Sequence, residues 1–424
     1  MIFMRLLRKI YYSILSVKLF HYFYSNTLSL ISYCIEILIK KDGNLIVFGS
    51  SNGVSYGDNS KFLFEWIIKN KPNYNCVWLT HSKSVQRTLL NESYNAQLTW
   101  SLTGISNLFR ANIGCYTNSL RDLSIDPWLF PSSIKLIALR HGKSVKGVQN
   151  SLKNYKLSYL EKCSRNHEKK RIVALLSTSS KISEMTDLSL KVGMGKIFVT
   201  GYPRNDSFFL NSSKDKEVVS EIIQKDTKKI ILYAPSWRNG REPISFFPFS
   251  DFEMDTLVMN LELNKIQLLL RPHPNDYLIF PEIKDCLQTI KNSSRFIEIA
   301  DNTFFQDLYT LLPFVDCLIT DYSATYHDYL LSEKPIWFIP YDYNDFKHQN
   351  GFLYDYFDLL PGPHLESFND FIFELKNLYD GIDRYLTKRQ ELCRLIHKYK
   401  DGESSKRVFE LIDSIVMKNR SNLV

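Results

Sequence analysis

At 424 residues the chain is long enough for two domains of ordinary size. Hydrophobic residues at 44% and charged residues at 23% exclude a disordered chain and fit a folded enzyme. The formal charge of +8 calls for acidic partners such as phosphates, anionic lipid or nucleic acid, and the seven scattered cysteines, without CxxC or zinc spacing, read as reduced core thiols.

Residues 1–41 stand apart. Arg5, Arg8, Lys9, Lys18, Lys40 and Lys41 face only Glu36, and between them lie Ile10, Tyr11, Tyr12, Ile14, Leu15, Leu19, Phe20, Tyr22 and Phe23. No run reaches 18 uncharged apolar residues, so a spanning helix is not expected. A basic, aromatic-rich amphipathic segment suits the headgroup layer of an anionic membrane; a terminal helix packed on its own domain is the competing expectation.

From Asn44 onward short apolar runs alternate with helical patterns. Strands are predicted at Leu45–Phe48, Cys76–Leu79, Ile113–Tyr116, Ile134–Leu139, Ile172–Leu176 and Ile197–Val199. A second series follows at Ile230–Tyr233, Ile266–Leu270, Phe296–Ile299, Cys317–Thr320 and Ile336–Ile339. Runs apolar on both faces are what buried parallel strands require. Helices are predicted at Lys61–Lys69, Phe252–Leu263, Phe304–Leu312 and Tyr326–Leu331, and the end of the chain, Phe368 to Met417, reads as helices. This alternation predicts two doubly wound α/β halves with a cleft between them, 42–212 and 213–424, divided in the polar stretch Asn211–Lys216.

The candidate chemistry follows the strands, where ligands bind in open α/β sheets. Leu139-Arg140-His141-Gly142-Lys143-Ser144-Val145-Lys146 offers a histidine suited to general base work, with cations for phosphate nearby; an ordinary turn histidine is the plain alternative. Gly201-Tyr202-Pro203-Arg204-Asn205-Asp206 fits a tight turn, with Arg204 its candidate ligand contact. In Pro235-Ser236-Trp237-Arg238, Ser236 and Arg238 are candidate donors to phosphate oxygens. Arg271-Pro272-His273-Pro274 holds a histidine between two prolines that stiffen the backbone. Thr320-Asp321-Tyr322-Ser323-Ala324-Thr325 leads into a helix start, a place for a diphosphate or simply for an N-cap by Ser323. No P-loop, GxGxxG turn, GxSxG elbow or metal-ligand spacing occurs, and neither a metal nor a cofactor is expected. No basic helix or aromatic RNA-binding word supports a nucleic-acid partner.

Taken in order, these words resemble the CDP-glycerol:glycerophosphate glycerophosphotransferase family, the teichoic acid primases and polymerases. They run from Gly53-x-x-Tyr56-x-Asp58-Asn59-x-Lys61 through His141-Gly142-x-x-x-Lys146, Gly201 to Asp206, Ile231 to Arg238, Arg271 to Pro274 and Leu318 to Ser323. A last block holds Asp328, Lys334-Pro335, Asp342, Gly351, Asp355 and Pro361-Gly362-Pro363. The resemblance implies a GT-B-like fold with the acceptor on the N-terminal half and the cytidine nucleotide on the C-terminal half. It implies His141 as the base on the acceptor hydroxyl, and His273, Arg238 and Ser323 as the groups that hold the pyrophosphate. Arg204, Ser236, Arg271, Asp321 and Thr325 join the donor set, Asp321 to order its loop or contact the nucleotide rather than to act as an acid; Lys146 and Asp58 are further candidates. The chain departs from the family at Arg140, where Trp is common, at Lys143-Ser144, where Thr-Pro is common, and at Asn350-Gly351, where Arg-Gly is common.

The implied activity is transfer of glycerol phosphate or ribitol phosphate from a CDP-activated donor to a lipid-linked or polymeric glycan acceptor. CMP is released, at the cytoplasmic face of an anionic membrane. The rival is a GT-B glycosyltransferase using a nucleotide sugar.

Overall fold

Buried β-branched and aliphatic runs become parallel strands because both of their faces must be covered by helices. The computed structural model describes residues 18–142, 159–210, 213–238, 242–302, 305–352, 356–358 and 360–421. The chain forms two compact units: one holds the residues up to His141, those ending at Arg204 and those from Glu403 onward, and the other runs from Asn205 to Gly402 with Gly142 added.

The first unit is built on a seven-stranded sheet. Its strands are β1 (Asp42–Phe48), β2 (Asn75–Thr80), β3 (Ala96–Leu98), β4 (Ala111–Tyr116), β5 (Lys135–Ala138), β6 (Ile172–Ser177) and β7 (Ile197–Val199). They lie in the order β3-β2-β1-β4-β5-β6-β7, every pair parallel, so the order reverses between β1 and β4. Strand β3 was not legible: its three residues, Ala-Gln-Leu, have no β-branched member and sit at the sheet edge beside Trp78. One face of the sheet packs Ile46, Phe48, Trp78, Ile113 and Ile137 against Phe64 and Ile67 of the helix Asp58–Asn70.

Val408, Phe409, Ile412 and Val416 of the last helix, Ser404–Ser421, join that same core. The last helix therefore returns to the first unit, whereas the domain reading keeps 213–424 together. Gly201, at φ +80°, admits the start of this helix, because a Cβ there would collide with the Ser404 hydroxyl.

The second unit carries β8 (Lys229–Tyr233), β9 (Ile266–Leu270), β10 (Ile297–Ile299), β11 (Cys317–Thr320) and β12 (Ile336–Phe338) in the order β10-β9-β8-β11-β12, again all parallel. The reversal here falls between β8 and β11. Among the described residues of the range Phe304–Leu312, those from 305 to 312, the expected helix is absent. Two 3-10 turns, Leu308–Thr310 and Leu312–Phe314, stand there instead. Asp307 takes an extended backbone and caps Tyr309 N at 2.8 Å, and Pro313 has no N–H to continue a ladder.

Of the basic N-terminal segment, residues 1–17 lie outside the described residues. Within the remainder stands the helix Lys18–Leu38, which has one buried and one exposed face. Its inner face, at His21, Ser25 and Ser32, is buried. There Tyr24 Oη donates to Asp126 at 2.8 Å, and Glu36 accepts from the backbone N–H groups of Ser132 (3.0 Å) and Ser133 (2.8 Å). Its outer face presents Tyr22, Phe23, Leu30, Tyr33 and Ile37, all exposed and all without charge. No described helix is long and apolar enough to cross a membrane.

Candidate active site

In the first unit the loop after β1 ends at Asp58, which adopts φ 61° and opens the helix Asp58–Asn70. Asp58 is buried, and each of its carboxylate oxygens has a defined partner. Oδ1 accepts from Arg204 Nη1 at 2.7 Å and from Asn59 N at 2.6 Å, while Oδ2 accepts from Nδ1 of His141. Burial pushes the Asp58 carboxyl up, but the Arg204 guanidinium and the His141 imidazole outweigh it and hold the group well below the usual carboxylate range.

Asn59 secures the far side of this arrangement. Its Nδ2 donates to the carbonyls of Leu139 (3.1 Å) and Arg140 (2.7 Å), and its Oδ1 accepts from Arg204 N at 3.1 Å. One helix start thus clamps the end of β5 and the turn after β7. The His141 side chain remains 70% exposed. With Nδ1–H committed to the carboxylate, Nε2 is the basic nitrogen, the geometry that makes an imidazole a general base. Asp58 and His141 are brought together, and Arg204 stands behind them rather than at a ligand surface, with only 1% exposure.

The second unit places its motifs on the loops after β8, β9 and β11, three neighbouring strands at the order reversal. After β8, Ser236 N donates to Asp321 Oδ1 at 2.9 Å, and the buried Ser236 Oγ has no hydrogen-bond partner among the described residues. A buried hydroxyl in that condition has a hydrogen bond still to offer.

After β9, His273 is the N-cap of the short helix Pro274–Ile279. Its Nδ1 accepts from Asn275 N at 3.2 Å, and its own N–H donates to Asp276 Oδ2 at 3.2 Å, a capping box. The exposed ring stacks on Trp237 with centroids 5.4 Å apart and planes 13° from parallel. Because Nδ1 accepts, the neutral ring carries its proton on Nε2 and is a hydrogen-bond donor outward.

After β11, Ser323 and Thr325 are half-buried, their hydroxyls 3.0 Å apart. The helix expected to begin here does so, as the five-residue Thr325–Tyr329, and its N-cap is Ala324 and not Ser323. Ser323 Oγ nonetheless accepts from Thr325 N at 3.2 Å.

Two arginines expected to grip phosphate are turned inward. Arg238, 4% exposed, forms a fork on Asp342 (Nε–Oδ2 2.6 Å, Nη2–Oδ1 2.9 Å) and reaches Asp321 Oδ2 at 2.7 Å. Tyr322, Tyr341 and Phe346 surround its guanidinium. Burial alone would make the guanidinium less basic; Asp321 and Asp342 more than reverse that and keep it charged. Arg271 donates to the carbonyls of Ala300 (2.5 Å) and Phe305 (3.0 Å) and to Asn302 Oδ1 (2.9 Å), and burial lowers it to about 10. Both side chains fasten strand-end loops. Asp321 does so as well, accepting from Ser236 N, Tyr322 N and Arg238. Lys146 lies outside the described residues.

Sequence reasoning left Asn59, Trp237, Asp276 and Asp342 without roles. Asn59, Trp237 and Asp342 stood only as members of the family-like words, and Asp276 only in the spacing His273-x-x-Asp276, which forms a capping box. Among the described residues no group of three or more His, Cys, Asp or Glu side chains gathers as metal ligands.

Comparison with known proteins bears on these motifs directly. The family model described as CDP-Glycerol:Poly(glycerophosphate) glycerophosphotransferase matches residues 31–414. The chain is 25% identical over 411 residues to the teichoic acid poly(ribitol-phosphate) polymerase of Bacillus spizizenii, covering 95% of this chain and 59% of that protein. It is 27% identical over 385 residues to the teichoic acid glycerol-phosphate transferase of Staphylococcus aureus, covering 87% of this chain and 92% of that one. Among solved structures, the wall teichoic acid polymerase TagF superposes with a TM-score of 0.73 at 24% identity, over 97% of this chain and 98% of that one. The GT-B-like α/β fold implied by the motifs is thereby borne out. With the family model spanning most of its length, the chain belongs to the CDP-glycerol:poly(glycerophosphate) glycerophosphotransferase family.

Proposed function

We propose that this enzyme transfers glycerol phosphate or ribitol phosphate from a CDP-activated donor to a hydroxyl of a lipid-linked or polymeric acceptor in teichoic-acid-like polymer synthesis. The observation that carries the reading is the Asp58–His141 pair, a buried, ionised carboxylate holding an exposed imidazole by Nδ1. His141 Nε2 takes the proton of the acceptor hydroxyl, and the resulting oxygen attacks the β-phosphorus of the donor. A new P–O bond forms, the bond from that phosphorus to the bridging oxygen breaks, and the electron pair leaves with CMP. The imidazolium formed at His141 is stabilised by Asp58.

The donor diphosphate is assigned to the second unit. His273 Nε2–H, Ser236 Oγ, Ser323 Oγ and Thr325 Oγ1 are its candidate donors, and Arg238, Arg271 and Asp321 act by holding their loops. Fixed donors of this kind supply most of the catalysis available to phosphoryl transfer. The names of the relatives support the substrates: one is a poly(ribitol-phosphate) polymerase, another a glycerol-phosphate transferase, and a TagF variant soaked with CDPG superposes with a TM-score of 0.75.

Attachment to the cytoplasmic face of an anionic membrane belongs to the same reading. It is supported by the uncharged apolar outer face of the helix Lys18–Leu38 and by the flanking cations of the sequence. The test is a donor panel with membrane extract: CMP released from CDP-glycerol or CDP-ribitol supports the reading, and release of UDP or GDP from nucleotide sugars refutes it. His141→Ala is expected to abolish transfer while CDP still binds.

A further inference from the structure

The strand order of the first unit reverses between β1 and β4, and the loops after those strands hold polar groups that the mechanism above does not use. Asp122, fully buried, is their hub. Its Oδ1 accepts from Asn52 N at 2.6 Å, and its Oδ2 accepts from Thr117 N and Asn118 N, both at 2.8 Å. One carboxylate thus fixes the backbone of two exposed asparagines, one from each loop.

Their side chains are oriented as well. Ser119 Oγ donates to Asn52 Oδ1 at 2.9 Å, and Thr117 Oγ1 donates to Asn118 Oδ1 at 2.8 Å. With each carboxamide oxygen held by a neighbouring hydroxyl, each side chain presents its NH2 group as a donor. Asn52 adopts φ 55°, between Ser51 at φ 51° and Gly53 at φ 77°. Two consecutive non-glycine residues in the left-handed region carry a conformational cost that the Asp122 bonds offset.

We infer that Asn52 and Asn118 form an acceptor subsite that binds the phosphodiester oxygens next to the attacking hydroxyl of a polyol phosphate chain. Two neutral NH2 donors suit a ligand that brings only acceptors, as a phosphodiester does, better than a base edge that brings donors too. Location agrees. Phe48 pairs with Cys115 and Tyr116 with Ala138, so the loops after β1, β4 and β5 leave adjacent strand ends at one level. Two strand spacings, about 10 Å, separate the β1 end from the β5 end that carries His141. One or two polyol phosphate units bridge such a span. The inference rests on the proposed reading for the identity of the acceptor, and it adds the residues that recognise it.

The test uses the full chain and a soluble glycerol phosphate oligomer, with binding measured by calorimetry in the absence of any CDP-alcohol. Asn52→Asp and Asn118→Asp keep side-chain shape, tolerate the left-handed backbone and retain the inward-facing oxygens, but replace each NH2 by an anionic oxygen. Each is expected to weaken the oligomer at least tenfold, with an unchanged melting temperature and an unchanged affinity for CDP. Unaltered oligomer affinity in both variants, or no binding to the wild type, overturns the inference. An equal loss for an uncharged polyglycerol of the same length overturns the phosphate assignment. CMP release from CDP-alcohols by the wild type is scored separately, so failure of the transferase reading is told apart from failure of this subsite.

Discussion

Asp58→Asn removes one charge and almost no volume, and its consequences can be worked from the contacts. The wild-type carboxylate accepts Nδ1–H of His141 and so leaves Nε2 as the base. A carboxamide that keeps the Arg204 bond on its oxygen turns its NH2 toward His141. The ring must then accept at Nδ1 and carry its proton on Nε2, the wrong tautomer for deprotonating an alcohol. A positioned general base is worth about 100- to 10,000-fold, and loss of the tautomer-setting carboxylate in a serine-protease triad costs about 10,000-fold. Turnover should therefore fall by roughly 3–5 kcal/mol of barrier.

A second effect runs in parallel, because Arg204 is 1% exposed and loses a charge partner 2.7 Å away. Breaking a buried pair costs about 3–5 kcal/mol of stability. The two are separated by measuring CMP release well below the variant's melting temperature, with CDP affinity as the control for the second unit. Turnover above one tenth of the wild-type value, in a variant shown to be folded, refutes Asp58 as the group that orients His141. The same carboxylate sets an acid limit. Its folded-state value lies below its unfolded one, so its stabilisation is complete above the ordinary carboxylate range and is lost as pH falls beneath it.

Trp237→Leu removes the surface on which the His273 ring stacks and should lower turnover about tenfold, the lower range of a positioning loss; an unchanged kcat and donor KM would remove Trp237 from the site. Glu168 is pushed by burial to about 7, against the hydrogen bond from Tyr116 Oη at 2.6 Å. The unfolded chain ionises first, so stability falls as pH rises from about 4 to 7 and then levels. Glu168→Gln keeps an acceptor for Tyr116 and should gain up to about 3 kcal/mol at pH 8 with little change at pH 4; equal melting shifts at both pH values refute the assignment. Phe23→Asp with Ile37→Asp places charge on the outer face of the helix Lys18–Leu38 and should weaken sedimentation with phosphatidylglycerol vesicles at least tenfold. Equal binding by wild type and variant excludes that face as the membrane contact.

Much of this protein was legible before any coordinates. Buried parallel strands must be apolar on both faces, so runs such as Ile266–Leu270 and Cys317–Thr320 announced themselves with their full bounds. The chemistry-bearing words followed because ligands gather at strand ends, and their order along the chain carried the family. Tertiary structure decided what each polar group does there. Arg204, Arg238 and Arg271 look like phosphate ligands in one dimension, but each faces inward and donates to a carboxylate or a carbonyl group there. A sequence lists a cation without saying which way it points.

The same limit applies to Asp58 and His141, which are 83 residues apart and become a pair only because the loops after β1 and β5 emerge near each other, clamped by Asn59. It applies to the last helix, whose apolar stripe says that it must be buried but not in which unit. Local patterns record what a segment needs; only the folded chain determines which distant segment meets that need.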